Sequence, residues 1–145
     1  MHSVSGVASG IGSTTLPCVS IYSPSGNGFV IRELACWNTT TTACTYKWAR
    51  LTTAGTQGAG ITVNEWREDG LNPTATPKDA HSVAPTVGTT IEYLPIGAAV
   101  GAGYYYTYYG SEGLGVAAGT GNGVGLILVT GTGQLLAYKI VWEEI

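Results

Sequence analysis

Charge is the scarcest feature of this chain. Only 10% of its 145 residues are Asp, Glu, Lys or Arg, and nine acids against six bases leave a formal net charge of −3. Six scattered cations cannot follow a phosphate backbone, so nucleic acid is not an expected partner. There is no basic amphipathic stretch for a membrane surface. No run approaches the ~18 apolar residues of a membrane helix. Histidine is confined to His2 and His81, and neither stands at metal-ligand spacing from Cys18, Cys36 or Cys44. The odd cysteine count reads as three small buried hydrophobes, although Cys36 and Cys44 flank an expected turn and stand to meet across it. Met1 to Thr15 has no basic start and no apolar stretch of signal-peptide length. Small and glycine-containing, it reads as a flexible N-terminal arm, residues 1–15, ahead of a single domain, residues 16–145. Asn38-Thr39-Thr40 fits a glycosylation acceptor.

Catalytic signatures are missing too. The carboxylates Glu33, Glu65, Glu68, Asp69 and Glu92 could supply an acid pair, but nothing in their spacing unites two of them. Glu33, beside Arg32 among apolar residues, is expected to face solvent or a salt bridge. No Gly-x-Ser-x-Gly elbow occurs, and His81 reads as a lone loop histidine at the surface. The glycines from Gly119 to Gly125 are followed by Leu126-Ile127-Leu128-Val129, a strand pattern rather than the helix a phosphate cradle requires. The expectation is a protein that is not an enzyme and holds no cofactor.

What the chain has is β-forming and turn-forming residues. With 22 glycines, short apolar stretches recur between turn signals, the pattern of a sandwich or barrel. Strands are expected over 16–22, 29–37, 43–51, 60–66, 89–94, the tyrosine run, 114–118, 124–130 and 134–143. Residues 29–37 and 43–51 should pair as a hairpin across the polar turn 38–42. The proline-bearing segment 67–85 is expected to be irregular and functional. In the last strand Leu136, Tyr138, Ile140 and Trp142 share one face and Leu135, Ala137, Lys139, Val141 and Glu143 the other. Both faces are largely apolar, which fits a central or partner-covered strand. The resulting fold class is all-β: an antiparallel β-sandwich, jelly-roll-like, of about nine or ten strands.

The most informative segment is Tyr104-Tyr105-Tyr106-Thr107-Tyr108-Tyr109, bracketed by Gly103 and Gly110. Successive strand residues face opposite ways, so Tyr104, Tyr106 and Tyr108 share one face and Tyr105 and Tyr109 the other. Tyrosine suits places with one dry end and one wet end, including interfaces. Trp66 and Arg67, in the most charged patch of the chain, are residue types enriched among interface anchors. These seven residues and the arm are the candidate protein contacts.

The stretches Ile31-Arg32-Glu33-Leu34, Asn38-Thr39-Thr40 and Ala49 through Gly58 resemble small structural proteins of tailed bacteriophages. So do Gly119-Thr120-Gly121-Asn122-Gly123 and Gly131-Thr132-Gly133-Gln134. With the strand spacing, the likeness runs from Ile21 to Glu143. The resemblance implies a head decoration or cement protein, made in the host cytoplasm and resident on the capsid surface of the virion. It further implies a homotrimer bound to the major capsid protein lattice, and it carries no catalytic residue. The rival reading is a carbohydrate- or receptor-binding β-sandwich module of a phage tail or fibre, with Trp66, Tyr105 and Tyr109 as its rings.

Overall fold

The computed structural model describes residues 1–66, 70, 72–110 and 112–145. Among them there is no helix. Eleven strands follow in order: β1 (His2–Val7), β2 (Val19–Tyr22), β3 (Phe29–Asn38), β4 (Cys44–Leu51), β5 (Asn64–Glu65), β6 (Thr76–Asp79), β7 (Val87–Ile96), β8 (Gly103–Thr107), β9 (Leu114–Val116), β10 (Gly123–Thr130) and β11 (Leu136–Glu144). That is slightly more than the nine or ten expected.

Two antiparallel sheets result. Sheet A runs β5-β1-β11-β3-β8, with β9 continuing beside β3, and sheet B runs β6-β2-β10-β4-β7. The early strands pair with the late ones in reverse order: β1 with β11, β2 with β10, β3 with β8 and β9, β4 with β7. A long ribbon folded back on itself and rolled across two sheets is a jelly roll. The hairpin expected between 29–37 and 43–51 does not form, because β3 lies in sheet A and β4 in sheet B. The turn 38–42 is a corner between sheets. A turn sequence encodes a reversal of the chain but not the sheet that receives the next strand.

Three other expectations are corrected. The N-terminal arm is a strand over His2–Val7, in register with β11 from Trp142 to Ala137. Val4 points into the core, while Ser3, Ser5 and Val7 alternate outward, a pattern too small and polar to read as a strand. The segment 60–66 contributes only Asn64–Glu65. The irregular segment supplies the edge strand β6, whose Pro77 sits at an edge, as proline must.

Between the sheets lies the main core, with Trp48, Trp142, Tyr46, Phe29, Ile31, Leu34 and Leu126 fully buried. A smaller cluster of Tyr22, Ala49, Leu51 and Ile127 occupies the outer face of sheet B. The excursion between β4 and β7 covers it. The Tyr22 hydroxyl lies 3.3 Å from each of the carbonyls of Thr53 and Ala54 and 3.1 Å from His81 Nε2. His81 is therefore buried rather than at the surface, and burial lowers its pKa. All three cysteines are buried free thiols, and burial pushes Cys36 up to about 12.

Gly103 opens β8 where it passes closest to β3. A Cβ there would stand 2.5 Å from Trp37 Cα and 2.7 Å from Trp37 Cβ, and would collide with the Cys36 carbonyl. Gly103→Ala should cost about 1–3 kcal/mol of stability, the range for overpacking. Gly110→Ala, with nothing within 4 Å, should change it by less than about 0.5 kcal/mol. Urea denaturation of the two variants checks both.

Candidate functional site: the outer face of sheet A

The two sheets differ in how their outer faces are treated. On sheet B the chain itself covers Tyr22, Ala49, Leu51 and Ile127, with Tyr93 exposed on the outlying strand β7, whereas sheet A carries a group of exposed aromatic rings. A β-bulge in β3 creates the site. Val141 faces Glu33 and Trp142 faces Ile31, so Arg32 has no partner on β11. Bulges bend a strand and re-aim its side chains. Here Arg32 and Glu33 both point outward, and the inner row resumes at Leu34 and Cys36.

Glu33 is the centre. It is only 6% exposed. Lys139 on the neighbouring strand places Nζ 2.8 Å from Glu33 Oε2. The Tyr109 hydroxyl donates to Oε1 at 2.9 Å, and the Tyr105 hydroxyl donates to Oε2. Burial pushes the Glu33 carboxyl up, but hydrogen bonds from Lys139, Tyr105 and Tyr109, with the lysine charge, outweigh it and hold it below its ordinary value. The same bond to Glu33 is the main cause raising the Tyr105 and Tyr109 phenols and the Lys139 ammonium.

Lys139 also links the rings. Its Nζ lies 5.4 Å from the centroid of Tyr105 and 6.0 Å from that of Trp66, within the range of cation–π attraction. Trp66, just after β5, is fixed by its Nε1 donating to Ser3 Oγ at 3.0 Å and its backbone N–H donating to the Met1 carbonyl at 3.3 Å. Three rings, Trp66 (51% exposed), Tyr105 (55%) and Tyr109 (71%), are thus held in place yet open to solvent. Beside them Arg32 bonds Glu143 at 2.8 Å and the Gly110 carbonyl at 3.1 Å.

The tyrosine run splits as its alternation predicts. Tyr104, Tyr106 and Tyr108 turn inward and pack against the core. Tyr104 donates to the Pro95 carbonyl at 3.0 Å and Tyr108 to Glu92 at 2.9 Å, both on β7. They clasp the edges of the two sheets together, which leaves Tyr105 and Tyr109 as the outward pair. Arg67, with Glu68 and Asp69, lies outside the described residues. Sequence reasoning brought Trp66 and the two outward tyrosines forward but missed Lys139, Ser3 and the central place of Glu33. The available signal was a lysine and a glutamate set inside largely apolar strands.

The surface is shallow here. A hollow of about 210 Å³ beside Cys36, Trp37, Gly103 and Tyr105 is open to solvent. Among the described residues, the linings of this and three further hollows each hold at most one carboxylate. Among the described residues no three His, Cys, Asp or Glu side chains group closely enough to share a metal ion. Asn38 is buried, donating to the Thr42 and Gly97 carbonyls. In comparisons with known proteins, no family model, no curated protein and no solved structure matches the chain.

Because the folded pKa of Glu33 lies below its ordinary 4.5, its contribution to stability is complete above that value and disappears as pH falls through the folded pKa. Glu33→Gln should lower stability at pH 7 by about 1–3 kcal/mol, with the gap to the wild type closing below pH 4.5. Denaturation midpoints measured from pH 7 to pH 2.5 test this; a gap that stays constant with pH would rule out the ion pair.

Proposed function

We propose that this chain is a non-enzymatic virion structural protein, a capsid decoration or cement protein. In this reading it forms a homo-oligomer, a trimer, and lies on the major capsid protein lattice at the virion surface, stabilising it. The observation that carries the proposal is the outer face of sheet A, where Trp66, Tyr105 and Tyr109 are exposed but fixed around a neutralised Glu33–Lys139 pair. Aromatic rings on a rigid plane supply large contact area with little ordering cost. Because Glu33 and Lys139 satisfy each other within the face, a partner has neither of these charges to desolvate unpaired. Jelly rolls serve as capsid and lectin domains alike, so the fold supports the proposal only by analogy. Each contact with a shell can be weak, because many copies on a repeating lattice multiply it.

The test is co-sedimentation of the full chain with assembled phage heads. Replacing Trp66, Tyr105 and Tyr109 with alanine together should weaken binding by about thirtyfold or more, the scale of a lost hot spot, with the circular dichroism spectrum retained. Undiminished binding by the triple variant would refute the assignment. Specific retention of a glycan through these rings on an array would replace it with the carbohydrate- or receptor-binding module.

A further inference from the structure

One end of the roll is built from four loops: 8–18, 39–43, 97–102 and 131–135. They contain no Asp, Glu, Lys, Arg or His. Uncharged hydrogen bonds tie them into one platform. The Tyr46 hydroxyl lies 2.6 Å from the Ile11 carbonyl and 3.0 Å from that of Gln134. Thr40 donates to Gln134 Oε1 at 2.7 Å. Asn38, with 0% exposure, bonds Thr42, Gly97, Gly101 and Ala102 through side chain and backbone. On the flank, the Asp79 carboxylate accepts from the backbone N–H groups of Ser9 and Ala80.

This platform also carries exposed apolar side chains. Val100 is 69% exposed, with Ile11 and Leu135 on the adjoining loops. Val7 and Trp37, both exposed, flank Ala137 in one register row of sheet A and continue the apolar surface onto the face bearing Tyr105. Elsewhere the surface holds Arg32, Lys47, Arg50, Glu65, Lys78, Glu112 and the acidic end of β11.

We propose that a second copy of this chain docks on the four-loop end, so that the platforms of neighbouring copies meet around a rotation axis. Charge decides the occupant. Residues near a symmetry axis meet their own counterparts, so any ionised group there faces its like, and like charges brought together across an interface are strongly unfavourable. An end without ionisable side chains meets itself without that repulsion, and its exposed valine, isoleucine and leucine gain burial. The loops are already cross-linked, so little order has to be gained on contact. This deepens the proposed function, since a homo-oligomer belongs to that reading, and it separates the surface that binds copies from the face that binds the shell.

Sedimentation velocity of the full chain at micromolar concentration tests it. The wild type should sediment as an oligomer. Val100→Glu and, separately, Thr41→Glu place a charge on exposed loop tips and should raise the dissociation constant by about a hundredfold or more, leaving monomer with an unchanged circular dichroism spectrum. Val100→Gln, similar in size without the charge, should remain associated, as should Tyr109→Ala on the sheet face. A wild type that is monomeric throughout, glutamate variants that associate normally, or a glutamine variant that dissociates like the glutamate one would overturn the inference. Shell binding is read separately: an oligomer that the loop-tip glutamates leave intact but that co-sediments with phage heads defeats this inference alone, a monomeric wild type defeats it together with the homo-oligomer of the proposed function, and an oligomer that ignores the heads defeats the proposed shell binding alone.

Discussion

The architecture of the exposed face depends on a single slip of phase in β3. Strict alternation from Phe29 would send Glu33 inward with Ile31 and leave Leu34 facing water. The unpaired Arg32 absorbs one residue, so Leu34 and Cys36 enter the core and Glu33 comes out beside Lys139. The same point divides the neighbouring edge. β8 pairs as far as Glu33, β9 takes over at Ile31, and the Tyr108 N–H donates to the Arg32 carbonyl at 2.8 Å. The loop between them carries Tyr109 over Glu33. One extra residue therefore sets the carboxylate, its phenol donors and the break in the edge strand together.

A carboxylate as buried as Glu33 is stabilising only if its lost hydration is replaced. An ammonium and two phenols replace it, in charge-assisted bonds that are stronger than neutral ones. Each donor belongs to a ring or stem that would otherwise swing freely at the surface. Lys139 is held between Glu33 and the rings of Tyr105 and Trp66, and Trp66 is pinned to Ser3 on β1. The network thus reaches from β8 across β3 and β11 to the far edge of sheet A. It orders an exposed face without burying it.

The legibility of the sequence follows the range of the interactions. The facing of the tyrosine run was readable because β8 has no bulge, and alternation holds from Tyr104 to Thr107. The all-β class was readable from turn spacing and β-forming residues alone. The pairing of β3 with β11 rather than β4 was not, because both partners of a corner look like the arms of a hairpin. His2–Val7 did not read as a strand because its partner lies more than a hundred residues away and its outward side chains are small. His81 looked like a surface residue because its burial comes from Tyr22 and the cover over sheet B, a contact between segments 59 residues apart. Glu33 and Lys139 could each be seen as odd charges in apolar strands, but their meeting depends on the register and the bulge.

The asymmetry between the sheets is the last link from packing to use. The same chain spends its longest excursion covering Tyr22, Ala49, Leu51 and Ile127 on sheet B, yet leaves Trp66, Tyr105 and Tyr109 uncovered on sheet A. Folding alone does not require this, since scattered surface hydrophobics are common but contiguous exposed apolar groups are not. Fixing those rings through Glu33, Lys139 and Ser3 lowers the entropy that a partner would otherwise have to remove. Rings held still before any contact suit the repeated, identical encounters of the proposed shell binding, where each site must present the same geometry and no site need be strong by itself.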